Sequence, residues 1–320
     1  MGMTQEKTDL TKLPAAPAGW HRHPNGGGLV EGTAFVQDTA FVGPYAKVYD
    51  RAMVSDSAQV SDSAQVSGSA RVFGSARVLG SAQVSDSAQV SDSAWVFGSA
   101  QVFGHARVYD EAWVHGDAKV SGDAKVYGDA KVSCEAQVFG AAQVFDRVKA
   151  LDSARVFGDA KVSGDAWVLD EVEVSGSAQV HGDAKVSGRA KVSGEAQVFG
   201  RAQVFGRAKV LDSARVHGDA KVYDDAQVYD DAQVSCEAQV FGDAQVFDRA
   251  KVSGSAWVHG EVGVSGDAWV LDEVEVSGSA QVHGDAKVYG RAKVSGRAKV
   301  SGRAKVHNSE EVSGDTKINS

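Results

Sequence analysis

Residues 46–72 read AKVYDRAMVSDSAQVSDSAQVSGSARV, and their period of six decides the fold. From Val30 to Ile318 an apolar residue recurs at every sixth position without insertion or deletion. It is Val throughout, apart from Ala150 and Ile318. Two residues before it stands Ala, from Ala34 to Ala304, interrupted only by Val148, Val172, Val262 and Val274. The unit is A-x-V-y-[G/D]-w. Within A-x-V the side chains alternate small apolar, polar, β-branched apolar, which is the period of a strand with Ala and Val on one side. Gly or Asp then supplies a turn. No segment carries a helical apolar period.

Each hexamer therefore predicts a three-residue strand and a corner. Strands so short, with no room for a reversal loop, must pair with their copies one coil away, in parallel. The expected fold is all-β, a single-stranded parallel β-solenoid. Three hexamers per coil make a triangular prism of about 16 coils, with about 18 residues in each, as a rod roughly 75–80 Å long. The expected organisation is a flexible tail over 1–19, an N-terminal cap over 20–33 and the solenoid over 34–318. The core should thin near the end, where Glu310 and Thr316 take the inward Ala slot. No cap follows Ile318, so terminal strand edges are expected to invite end-to-end stacking.

The repeat resembles the hexapeptide-repeat left-handed β-helix proteins over residues 30–318. The opening Trp20-His21-Arg22-His23-Pro24-Asn25-Gly26-Gly27-Gly28 and the TAFV and TAFVGPYAKVY that follow look like uncharacterised bacterial and phage members, some carrying a transferase label. The resemblance implies left-handed coiling. It also implies, as an alternative function, an acyl-CoA-dependent acyltransferase with a histidine as general base. The chain departs from the family's usual unit, which places a small residue directly after the inward aliphatic. Here Ser, Phe, Tyr, His or Leu stands there, and Gly or Asp follows one place later.

The formal net charge of the 320 residues is −9, which argues against a general nucleic-acid binder. No apolar run is long enough to span a membrane. The N-terminal MGMTQEKTDLTKLPAAPAGW lacks an apolar signal core, so a cytoplasmic location is expected. Two cysteines, Cys134 and Cys236, share the context SCEAQVFG and make no disulfide framework. They belong to a duplication in which 133–192 matches 235–294, with DAWVLDEVEVSGSAQVHGDAKV starting at Asp165 and at Asp267. The offset is 17 hexamers, not a multiple of three, so the second copy is rotated by one face. The two cysteines are then expected on different edges, beyond disulfide reach.

No phosphate-binding loop, nucleophile elbow, metal-ligand cluster or cofactor motif is present. His115, His181, His217, His259, His283 and His307 occupy the corner slot after Val, interchangeably with Ser, Phe, Tyr and Leu. They read as corner fillers more readily than as bases. His105 sits in another slot, and His21 and His23 beside Trp20 read as cap residues. In the outward x row, otherwise mostly Gln, Lys and Arg, Trp95, Trp113, Trp167 and Trp257 share one face by counting and are the candidate partner-binding residues. The corner rings Tyr109/Tyr127/Phe145, Phe205/Tyr223/Phe241 and Leu211/Tyr229/Phe247 should form ladders, pointing in or out. Arg291, Lys293, Arg297, Lys299, Arg303 and Lys305 form a basic belt that is either a candidate anion site or a solvated face. The leading expectation is a non-enzymatic structural or interaction rod, a scaffold or polymer subunit. It associates with itself end to end or laterally. A binding module built on the tryptophan face is the third reading.

Overall fold

The computed structural model describes residues 13–319. The chain divides into two compact units, Met1–Ser153 and Ala154–Ser320. Each is a parallel β-solenoid, and the two together comprise about 16 turns of 18 residues. No helix occurs among the described residues.

The strands are shorter than the sequence predicts. Most contain only x and V, as in Gln83–Val84 and Gln101–Val102, which pair in parallel with Gln83 opposite Gln101 and Val84 opposite Val102. The Ala of each unit lies just outside the strand but keeps its place in the ladder. The N–H of Gln83 donates to the Ala100 carbonyl of the following coil, that of Ser85 to Val102, and that of Ser87 to Gly104. Each coil is thus sewn to the next through strand and corner alike, which meets the backbone's obligatory hydrogen bonds. In each unit Ala and Val fill the interior, nearly all of them with no exposure. Where Glu310 and Thr316 replace Ala, both are exposed, and Glu310 accepts a hydrogen bond from the His307 N–H instead.

The turn forms at the Gly/Asp slot. From Asp50 onward the glycines there have positive φ, for example Gly104 at 71°, and so do the aspartates, for example Asp50 at 58° and Asp248 at 58°. Gly, Asn and Asp tolerate this region best, which explains the composition of the slot. Asp adds a bond that Gly cannot. Its Oδ2 accepts the N–H of the residue in the same slot one coil on, as in Asp50 to Gly68 at 3.0 Å, Asp86 to Gly104 at 3.0 Å and Asp248 to Gly266 at 2.8 Å.

One pairing departs from the all-parallel expectation. Trp20–Arg22 runs antiparallel to Leu29–Glu31, because these residues precede the repeat and have room for a reversal between them. The reversal also covers the second face. Gly28 N–H donates to Val42, and Val42 N–H donates to Asn25. A Cβ on Gly28 would collide with Val42, so only Gly fits there. Of the expected tail, residues 1–12 lie outside the described residues. Arg22 holds the backbone of Pro14 through Nε at 3.1 Å and Nη2 at 2.9 Å.

Candidate functional site

The corner slot after Val lies outside the Ala/Val core, and its rings are half-buried. They stack from coil to coil. Tyr109 lies on Tyr127 at 4.8 Å and Tyr127 on Phe145 at 4.9 Å, and Phe205, Tyr223 and Phe241 follow at 4.8 Å steps. Tyr223 and Tyr229 lean over the outward face, where their hydroxyls donate to Gln239 and Gln245. The rings that sequence left pointing either way therefore pack on the outside of the corner. Burial, joined by nearby charge such as Asp224 beside Tyr223, raises the pKa of Tyr109, Tyr127, Tyr223 and Tyr229.

Five of the six corner histidines belong to the same ladders, and His283 lies between Ser265 and Ser301 in its row. His115 stacks on Phe97 at 4.7 Å, Phe199 lies between His181 and His217, and His259 stacks on Phe241. His307 tilts against Tyr289. Burial lowers the pKa of His115, His181 and His217, reinforced by Lys131 at His115 and Arg215 at His217. Away from the repeat, His21 is exposed, and His23 is buried in the cap with Nδ1 3.1 Å from the Asn25 carbonyl. Among the described residues no three His, Cys, Asp or Glu side chains come together as a metal site.

The structure brings Trp95 and Trp113 together, stacked at 5.4 Å with 14° between planes. Arg77 covers the other face of Trp95 at 4.6 Å, and Lys131 covers the other face of Trp113 at 4.8 Å. The four side chains form a closed cation–ring–ring–cation stack, edged by Phe97. Each indole presents its edge, not its face, to solvent. Trp167 and Trp257 lie in the second unit and are not neighbours; the strands that begin at Lys185, Gln203, Lys221 and Gln239 separate them. Trp257 is the most exposed tryptophan, at 49%.

The basic belt is spread over three sheets. Arg291 and Lys293, Arg297 and Lys299, and Arg303 and Lys305 each flank a different strand. Acids of the preceding coil meet some of them: Arg291 pairs with Glu273 at 2.8 Å, and Lys293 and Arg303 approach Glu275 and Asp285 at 3.9 Å. Cys134 and Cys236 are exposed free thiols in the positive-φ slot, at 60° and 62°.

One feature escaped the sequence reading. Gly263 occupies an x position, where every other coil of its face in the second unit carries a side chain. It opens a surface recess of about 470 Å³ bordered by Asp243, Gln245, Glu261 and Gln281. The visible signal was the Gly within EVGVSG, beside the already irregular Val262.

A family model described as the YdcK β-solenoid repeat matches residues 46–62, 64–80, 100–116 and 244–260. Those stretches are similar to that repeat, and with the architecture above they define the chain as a repeat β-solenoid protein. No curated protein matches the chain.

Proposed function

We propose that this chain is a structural or interaction protein, without enzymatic activity, whose first partner is a second copy of itself. The six-residue spacing also supports placing it among hexapeptide-repeat solenoids. The observation that carries the functional reading is that the outward side chains satisfy one another from coil to coil. Rings stack on rings, Arg201 pairs with Asp219 and Arg207 with Asp225 at 2.6 Å, and the corner histidines are mostly committed to ladders. A surface so occupied with itself suits a stiff support better than a reaction centre.

Self-association is supported by the first coils. Of the five large apolar side chains that are exposed among the described residues, Phe35 at 55%, Tyr45 at 73% and Met53 at 39% lie here. Phe35 and Met53 are in register on adjacent strands. The antiparallel pair and the Asn25–Gly28 reversal cover two of the three sheet edges at this end. Among the described residues nothing pairs with the outer edge of Phe35–Val36. An unpaired edge beside exposed apolar rings is a template for another chain. Light scattering over a concentration series tests this. The unmodified protein should gain mass with concentration, and the double variant Phe35→Lys, Met53→Lys should not. Equal mass for both at every concentration would overturn the assignment of this surface.

A second reading rests on Trp257, whose exposure and lack of a covering cation among the described contacts suit it to anchor a different protein.

A further inference from the structure

The face around Gly263 is a ladder with one rung missing. Gly263 is registered between Gln245 on one strand and Gln281 on the next. Two coil spacings, roughly 9.6 Å, therefore separate the neighbouring outward side chains. A Cβ built on Gly263 meets nothing within 4 Å, so the gap is open to a side chain. The adjoining corner row is open at the same coil. Phe247 stacks on Tyr229 at 5.0 Å with planes 2° apart, and its opposite face looks over Ser265. The next ring in that row is His283.

The charge around the gap is one-sided. Asp243 and Glu261 flank it, and neither makes an ion pair among the described residues, whereas Asp225 and Glu171 along the same row are paired with Arg207 and Arg189. Glu261 is held in place by a hydrogen bond from the Ser279 hydroxyl at 3.1 Å. Two carboxylates thus border an empty slot that has an apolar ring along one side.

The duplicated segment shows what such a slot holds. In the earlier copy the residue aligned with Gly263 is Lys161, registered on Gln179 as Gly263 is on Gln281. The aligned residues are alike at Asp159 for Glu261, Ser163 for Ser265, His181 for His283 and Phe145 for Phe247, whereas Ala141 stands where the later copy has Asp243. One copy supplies its own ammonium group. The other has no cation at that position and carries a second carboxylate, Asp243, where the earlier copy has Ala141.

We infer that the Gly263 recess is a binding site for a lysine side chain supplied from outside the chain. The alkyl stem takes the place of the missing rung between Gln245 and Gln281, along Phe247, and the ammonium group meets Asp243 and Glu261. Charge-assisted hydrogen bonds and burial of the stem drive the binding. This assignment is independent of the Phe35 edge and does not stand or fall with self-association through it.

The probe is N-acetyl-lysine methylamide, titrated against the full chain and followed by backbone amide shifts. Saturable shifts confined to the strand at Gly263 and its two neighbours are expected, with a dissociation constant on the order of 1 mM for so small a ligand. Gly263→Lys refills the slot as the duplicate does and should weaken binding at least about tenfold, whereas Gly263→Ala leaves room and should bind as before. The norleucine analogue, equal in stem but uncharged, should not saturate. Absence of saturable shifts, equal binding of the norleucine analogue, or undiminished binding to Gly263→Lys would each overturn the proposal. Sedimentation without probe separates the sources of the lysine. If a second copy provides it, Gly263→Lys lowers the association of the unmodified protein; if a different protein does, the two sediment alike.

Discussion

At the residue scale, the slot two places after the inward Val governs the chain. From Asp50 onward its positive φ, near +60° to +80°, restricts it to Gly, Asp and Asn, with Cys134 and Cys236 as the exceptions. A thiol can neither relieve the left-handed backbone nor accept the next coil's N–H, as Asp248 does from Gly266. Cys236→Asp should therefore stabilise the protein by about 0.5–1.5 kcal/mol, the net worth of one such bond. Cys236→Val should destabilise it, since a β-branched residue is a poor fit at positive φ. Urea denaturation of the three proteins checks both signs. Histidine chemistry sets a second expectation. Burial holds His115, His181 and His217 below the ordinary value of 6.5. Above that value these rings are neutral whether folded or not, and they add no pH dependence. As pH falls below it, the unfolded chain takes up protons first, so stability drops until the lowered folded values are passed. The His181→Phe variant keeps the stack with Phe199 and should lose less stability than the unmodified protein between about pH 7.5 and about pH 5.

At the element scale, the corner ladders are packing elements in their own right. Tyr223 lies between Phe205 and Phe241, at 4.8 Å from each, so Tyr223→Ser removes two ring contacts at once. The expected cost is about 1–3 kcal/mol, at about 0.5–1.5 kcal/mol per stacked pair. A double-mutant cycle with Phe241→Ser should return a coupling energy near one such pair. Coupling of zero would show that the rings are merely neighbours. These ladders were legible in the sequence, because a strict period of six fixes which residues stack. So were the inward Ala and Val and the turn at Gly/Asp. The side on which the rings lie was not legible, since Phe and Tyr after Val suit either a core or a covered face. The closed stack of Arg77, Trp95, Trp113 and Lys131 was half legible. Counting brought the two tryptophans together, but only side-chain geometry shows cations covering their outer faces. Gly263 was missed for the opposite reason. In a chain with Gly in so many corners, a Gly on a strand draws little notice, although its meaning depends entirely on its register.

At the scale of the whole molecule, repetition makes stability a sum of like contacts between successive coils. Both proposed interactions lie where the repeat is broken: the antiparallel cap with Phe35 and Met53 beside it, and the vacant rung at Gly263. Negative-stain electron microscopy of the purified protein over a concentration series tests most directly the proposal that this protein works by self-association. Filaments or bundled assemblies that grow with concentration are expected. Single particles of unchanged size at every concentration would contradict it.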